Sequence, residues 1–389
     1  MIKKYLFLLF ILSIYTPLKA QVQLSVYSEV SIITAGPGEE LYEAFGHSAI
    51  RVKDPVLKLD LIYNYGMFDF NAPNFYSNFT KGKLLYRLGR YKFEYFLRSY
   101  NRDKRWVKQQ VLNLNQLEKQ HFFIFLENNA HPKNANYFYD PYFNNCATKL
   151  RDITTSILGN KVVFSDKNTP NNQSFRQLMD KEIPWNTWGS FGINLALGSK
   201  LDQKAEFKQY MYLPDYVYSI FKNSDLYIKN QKAALIKRED ILLNYKEKEL
   251  EISTLNPFLI FSIISLIGLF FTYKDFKNNN VTKWVDFTLL FSTGFIGIVV
   301  LFLWFFTDHS TTPNNFNFLW AFAPNLFVSF LIFKKNKTIK LKMYFKFLAL
   351  LMLTIPILWF LEVQLFPISI SPFLILLLVR YLFLSKELK

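Results

Sequence analysis

The sequence predicts an α+β exported domain followed by an all-α five-helix transmembrane domain. Two patterns carry this. Up to about residue 250 the chain mixes short strand-like and helix-like segments separated by turn clusters. From residue 255 it becomes a series of five apolar segments, with lysines collected in alternate connections. The chain has 389 residues, 42 of them Phe, and a formal net charge of +16. It is too long for one small domain and too apolar to be only soluble. Because the lysines flank apolar segments, a membrane surface accounts for the basic excess better than nucleic acid does, and no nucleic-acid partner is expected.

Residues 1–20 read as a secretory signal: Lys3 and Lys4 form a basic start, residues 5–15 an apolar core, and Leu18-Lys19-Ala20 an imperfect cleavage site. An uncleaved anchor is the alternative, although the apolar core is short for a span. Residues 21–254 then form the exported domain. Residues 22–33 alternate in part and read as strand, and Ala35-Gly36-Pro37-Gly38 as a turn. Residues 48–52 and 58–68 read as an antiparallel hairpin that sets His47 opposite Tyr63, Asn64 or Tyr65, with pairing parity left open. Residues 71–83 are loop-like and aromatic, and 84–96 return to the sheet. Residues 104–128 read as a helix on the stripe Val107, Val111, Leu114, Leu117 and Phe122. Residues 147–158 read as a helix capped by Asn144 or Asn145. Residues 164–184 look irregular, 185–201 a loop or short wall, and 202–221 and 226–251 helical.

The transmembrane domain, 255–389, is expected to hold helices at about 255–273, 285–306, 316–333, 343–361 and 368–384. Each approaches the ~20 residues that a span requires. The connection after the first carries Lys274, Lys277 and Lys283; that after the third carries Lys334, Lys335, Lys337, Lys340 and Lys342. The connections after the second and fourth carry no Lys or Arg. The positive-inside rule therefore makes the C-terminus cytoplasmic and puts the exported domain on the outer face. Lys346 and Arg380 fall inside the last two spans but near cytoplasmic ends, where long basic side chains snorkel.

The chemistry concentrates on Cys146, the single cysteine. One cysteine excludes an intramolecular disulfide, and an unpaired thiol in an exported domain calls for a reason. Cys146 stands where a helix should begin. Helix N–H groups and an imidazole both favour the thiolate, and such N–H groups also stabilise an oxyanion. His47, at a strand start after Gly46, is the candidate base. A small buried core cysteine and a hydrogen-bonded structural histidine are the plain alternatives. His121 and His131 read as structural or surface residues. Four scattered histidines and one cysteine form no zinc set, so neither metal nor cofactor is expected. Asn64, Tyr65, Asn145 and Ser48 are possible supports. His309 and Asn315, in the outer connection after the second span, and Arg51 are candidate contacts for a lipid headgroup; the outer connection is equally suited to hold the soluble domain over the bilayer.

Three runs then resemble a known family: Ala44-Phe45-Gly46-His47-Ser48-Ala49-Ile50-Arg51, Tyr63-Asn64-Tyr65-Gly66-Met67-Phe68-Asp69-Phe70 and Asn144-Asn145-Cys146-Ala147-Thr148. They are similar to the Lnb-type lipoprotein N-acyltransferases, as is Asp308-His309 followed by Asn315-Phe316-Asn317. The resemblance implies a permuted papain-like (NlpC/P60-related) thiol acyltransferase fold ahead of the membrane domain, in the inner membrane. It implies acyl transfer from a phospholipid donor to the free α-amine of a diacylglyceryl-cysteine lipoprotein acceptor through a Cys146 thioester, with His47 as base. The imidazole-orienting residue stays open between Asn64 and Tyr65. Two other readings remain. One is a membrane-anchored cysteine peptidase or amidase of NlpC/P60 type, which requires an open polar groove. The other is a non-enzymatic membrane assembly factor, which does not need the thiol. The aromatic run Tyr137, Phe138, Tyr139, Tyr142 and Phe143 favours an apolar cleft over a polar groove.

Overall fold

A computed structural model describes residues 22–229, 231–247, 251–333 and 338–387. The expected signal segment lies outside the described residues. The first part of the chain is a mixed α/β domain. Its strands are β1 (Glu29–Ala35), β2 (His47–Asp54), β3 (Leu59–Met67), β4 (Leu85–Lys92), β5 (Val107–Leu112), β6 (Asn136–Phe138), the small trio β7 (Val162–Val163), β8 (Asp225–Ile228) and β9 (Gln231–Ala234), and β10 (Ile236–Leu243). Seven of them form one antiparallel sheet in the order β10-β5-β1-β2-β3-β4-β6. The helices of this domain are α1 (Phe75–Thr80), α2 (Phe93–Arg102), α3 (Gln116–Ala130), α4 (Cys146–Leu158), α5 (Phe175–Glu182), α6 (Trp188–Ala196) and α7 (Pro214–Asn223).

The centre of the sheet is covered on both faces. Ile50, Val52 and Tyr63 pack with α3, α4 and α7 through Phe122, Leu150, Ile153 and Val217. Ile33, Ala49 and Ile62 pack with α2 through Phe93 and Phe96. Strands buried on two faces lose the polar alternation that marks a half-exposed strand, and β1 and β2 are buried almost throughout.

Several expected elements change here. Residues 104–128 are not one helix: β5 comes first, and α3 starts only after an Asn115–Glu118 capping box. Val107 and Val111 share a face at a spacing of four residues, which suits a helix and a strand equally. The described part of residues 226–251 holds β8, β9 and β10 where a helix is expected. Charged β10 is the sheet edge, as a charged strand that resists further pairing should be. Residues 164–184 include α5, capped by Ser174 and Gln177, and 185–201 include α6. Residues 202–221 are a 3-10 turn (Phe207–Tyr212) followed by α7, with Pro214 at its first turn.

The C-terminal domain is helical, with α8 (Pro257–Lys277), α9 (Lys283–Phe305), α10 (Asn325–Leu331), α11 (Thr338–Phe360) and α12 (Ser371–Glu387). Four described helices are long and apolar enough to cross a membrane. The expected third span, 316–333, is broken into a 3-10 turn (Phe316–Leu319) and α10, with Pro324 between them. This segment packs into α9 at two glycines. A Cβ on Gly294 would lie 2.0 Å from the Leu326 nitrogen, and one on Gly297 would lie 2.0 Å from the Ala321 oxygen. Asn325 donates to the Thr293 hydroxyl at 3.0 Å, which keeps the broken helix's polar groups paired inside the bundle.

Arg380 does not snorkel. It is fully buried and bonds Asp286 at 2.6 Å and Asp275 at 2.8 Å, tying α12 to α9 and α8. Lys346 is exposed.

The N-terminal domain sits on one end of this bundle. At the start of α8, Trp188 Nε1 donates to the Leu255 carbonyl at 2.8 Å and the Phe258 N–H to Asn186 Oδ1 at 3.0 Å. Beyond α9, the Asp308 N–H donates to the Lys81 carbonyl at 2.8 Å. Between α11 and α12, the Leu365 N–H donates to Asp202 Oδ1 at 3.0 Å, and Lys204 pairs with Glu362 at 2.7 Å. Lys274, Lys277 and Lys283 lie at the other end of α8 and α9.

Candidate active site

Cys146 and His47 come together at one end of the sheet, from opposite faces. Cys146 opens α4, and the turn before it is held by local chemistry. Asp140 Oδ1 accepts from the N–H groups of Tyr142 and Phe143 at 2.9 and 3.0 Å. Asn145 is the cap: its Oδ1 accepts from the Thr148 N–H at 2.9 Å, and its own N–H donates to Thr148 Oγ1 at 2.8 Å. Its Nδ2 donates to the Pro141 and Tyr212 carbonyls at 2.7 and 2.8 Å. Asn145 therefore fixes the direction of the helix start and with it the Cys146 side chain.

His47 opens β2, paired with Ala35 and reached through Gly46 at φ +70, where a Cβ would lie 2.8 Å from the Ala35 oxygen. The register decides the parity left open by the sequence. Ile50 pairs with Tyr63, so Asn64 shares the face of Ala49 and His47, and Tyr65 takes the other face. Asn64 Nδ2 donates to the Tyr91 hydroxyl at 2.9 Å, which turns Oδ1 toward His47. His47 Nε2–H donates to that oxygen at 2.6 Å. Nδ1 is then the nitrogen left for Cys146, with which the ring hydrogen-bonds. Tyr65 instead accepts from Asn129 Nδ2 at 3.0 Å, so it does not orient the imidazole.

The electrostatics suit an ion pair. Burial pushes the Cys146 thiol up. The His47 charge, its hydrogen bond and the N–H groups of Ser48 and Ala147 outweigh burial and hold the thiol below its ordinary value. Burial pushes His47 down, but the Cys146 charge and the bonds to Cys146 and Asn64 hold the imidazole above its ordinary value. Ser48 contributes its backbone N–H. Its hydroxyl is buried without a hydrogen-bond partner among the described residues.

The surroundings are apolar and aromatic. Gly66, at φ +92 in an irregular stretch of β3, lets the backbone pass Cys146: a Cβ there would lie 3.8 Å from the Cys146 Cβ and 3.6 Å from the Tyr139 ring. Tyr139 stacks on Tyr86 at 4.4 Å between centroids. Burial pushes the Tyr86 hydroxyl up to about 12 and the Tyr139 hydroxyl well above its ordinary range, so both rings stay neutral.

The remaining expected contacts lie elsewhere. Arg51 is buried and engaged inside the domain: it bonds Asp60 at 2.7 and 2.6 Å and Gln109 at 2.7 Å, and its guanidinium lies 3.7 Å from the centre of the Phe93 ring. It is held by the sheet rather than offered to a headgroup. Asn315 is fully buried and donates to the Leu195 and Ala196 carbonyls at 2.8 and 3.1 Å, so it docks the domains. The His309 ring hydrogen-bonds the backbone of Thr80 and Phe79, and burial pushes its imidazole down. Its neighbour Ser310 donates to Asp140, in the turn that precedes Cys146. His121 and His131 are exposed. Tyr91 was missed from sequence, although it lies on a segment expected to return to the sheet. No group of three or more His, Cys, Asp and Glu side chains among the described residues is placed to hold a metal.

Two family models match the chain. One, described as the Lnb N-terminal periplasmic domain, covers residues 16–181; the other, described as the Lnb transmembrane domain, covers residues 248–388. No curated protein and no solved structure matches.

Proposed function

The chain belongs to the Lnb family, as a membrane protein with a periplasmic N-terminal domain and a transmembrane domain, and from this premise we propose that it is a lipoprotein N-acyltransferase with Cys146 as its nucleophile. The observation that carries the reading is the Cys146–His47–Asn64 relay. A thiol at a helix N-terminus meets an imidazole whose other nitrogen is already bonded at 2.6 Å. This is the nucleophile–base–orienter pattern of acyl transfer.

In the first half-reaction the Cys146 thiolate attacks an ester carbonyl of a phospholipid, with its proton held on His47. Backbone N–H groups at the start of α4 are the available donors for the oxyanion. The C–O bond breaks, the departing alkoxide takes the proton from His47, and a lysophospholipid leaves. In the second half-reaction the α-amine of a diacylglyceryl-cysteine lipoprotein attacks the thioester. His47 takes the amine proton, and the C–S bond breaks to give the amide and regenerate the thiolate.

A cysteine-bearing helix packed on a sheet whose strand carries the histidine, with histidine first in the chain, fits a permuted papain-like fold. The placement of the exported domain over the lysine-poor end of the bundle fits an inner-membrane protein with a periplasmic site and a cytoplasmic C-terminus. The broken segment 316–333 would be the fifth membrane-embedded piece, and residues 1–20 the export signal.

The test is mass spectrometry of lipoprotein N-termini in cells whose only N-acyltransferase candidate is this protein. We expect an amide-linked third chain with the wild type and a free amine with Cys146→Ser at equal protein level. A free amine in both would reject the transferase and favour the peptidase. A third chain in both would remove Cys146 as nucleophile. Release of free fatty acid with no third chain would make the protein a phospholipase.

A further inference from the structure

An unbroken run of rings leads away from the nucleophile. The point beside Gly66 that neighbours Cys146 also neighbours Tyr139. Tyr139 stacks on Tyr86 at 4.4 Å, and Tyr86 meets Phe68 at 4.9 Å. Phe68 meets Phe70 at 4.8 Å and Phe75 at 5.9 Å, and Phe75 meets Phe79 at 6.1 Å. The run ends in the open: Phe70 is 47 % exposed, Phe79 48 % and Tyr76 71 %.

No residue from 70 to 80 is charged; exposed Asp69 precedes the stretch, and Lys81 and Lys83 follow it at once. An apolar aromatic surface edged by lysines is the composition of a bilayer interface. The position agrees. The Lys81 carbonyl accepts from the Asp308 N–H at 2.8 Å, and a Cβ on Gly82 would lie 2.5 Å from the His309 backbone nitrogen. The patch is therefore fastened to the segment just beyond α9, where Phe305 and Phe306 are also exposed. A second aromatic site, Trp185 with Phe258, marks the same end of the bundle at the start of α8.

We propose that the aromatic bank from Phe70 to Phe79 is immersed in the leaflet beneath the exported domain and is the entrance through which a lipid acyl chain reaches Cys146 along Phe68, Tyr86 and Tyr139. The identity of the chain as the acyl donor's rests on the transferase reading; the immersion does not. The rings supply a largely apolar path, and the lysines at its edge lie at headgroup level.

The immersion is tested with Tyr76→Cys in a Cys146→Ser background, labelled with an environment-sensitive fluorophore and placed in nanodiscs of phosphatidylglycerol and phosphatidylcholine with brominated acyl chains. Tyr27→Cys in the same background is the control. Its neighbour Ser25 bonds Asp54, at the end of β2 remote from His47, about 23 Å away at ~3.3 Å per residue. Quenching at residue 76 and none at residue 27 is expected; equal quenching, or none at residue 76, overturns the proposal. The entrance is tested in the Cys146-containing protein with Tyr76→Asp and Phe79→Asp together, two exposed positions. Alkylation of Cys146 by an iodoacetamide carried on a long acyl chain should slow about tenfold while alkylation by plain iodoacetamide is unchanged. No slowing, or equal slowing of both reagents, overturns it. Lipoprotein mass spectrometry reads the transferase separately. A third chain formed without quenching leaves the reaction and removes the entrance; quenching with a free amine does the reverse.

Discussion

Two of the molecule's buried charge clusters are built differently. In the membrane domain Arg380 lies between Asp286 at 2.6 Å and Asp275 at 2.8 Å, and Asp275 also accepts from the Thr282 N–H at 2.9 Å. A guanidinium does not give up its proton in a protein, so this cluster stays charged and fixes three helices. At the sheet end, Cys146 and His47 share a proton that either can hold. Their mutual attraction favours the charged pair, burial opposes it, and the balance holds the thiol low and the imidazole high. Permanent charge gives position; a shared proton gives reactivity. The comparison breaks if removing one member of either cluster has the effect expected of the other.

The largest effect should come from the dyad. His47→Ala removes the base, and third-chain formation should fall about 10³-fold, the scale of general acid–base catalysis. Cys146 alkylation in the same variant should shift to higher pH, because the thiolate loses its counter-charge. Thermal stability should change little. Arg380→Met should do the opposite. It leaves two carboxylates buried without their cation, at a cost of about 3–5 kcal/mol. Unfolding in detergent should show that loss, with the pH dependence of Cys146 alkylation unmoved.

Asn64→Ala sharpens the comparison by weakening the pair without deleting it. The bond to Asn64 raises His47, so its loss lowers the imidazole and, through the weaker counter-charge, lets the thiol rise. Deprotonation of the thiol sets the acid limb, and deprotonation of the imidazole sets the alkaline limb. The acid limb of acyl transfer should therefore move to higher pH and the alkaline limb to lower pH, narrowing the profile from both sides. The rate at the optimum should fall about 10- to 100-fold.

What was legible in the sequence was local. Asn145 as a helix cap and Cys146 at the first turn follow from residues within four positions of each other, and the helical character of the C-terminal domain from its apolar runs. What failed depended on distant partners. Arg51 read as available for phosphate because Asp60 and Gln109, which engage it, are brought together only by the sheet. Arg380 read as snorkelling because its carboxylates lie on two other helices. Residues 107–112 read as helix because a spacing of four fits both periods. His47 could not be matched to Asn64 until Ile50 was seen to pair with Tyr63, since a one-residue slip exchanges the faces.

The smallest effect should come from Tyr91→Phe, at the outer end of the relay. Tyr91 touches neither Cys146 nor the substrate; it accepts from Asn64 Nδ2 at 2.9 Å. Without the hydroxyl the amide loses the partner that distinguishes its nitrogen from its oxygen, and the flipped form offers His47 a donor where an acceptor is needed. A fraction of the molecules should then hold the imidazole in the wrong tautomer. The expected loss is about 3- to 10-fold, the size of one neutral hydrogen bond. Because the defect is one of orientation, it should appear in kcat with KM unchanged, and Asn64→Ala with Tyr91→Phe should be no slower than Asn64→Ala alone. Additive losses would mean that Tyr91 acts on His47 by a route other than Asn64, and that the relay ends one residue earlier than the hydrogen bonds indicate.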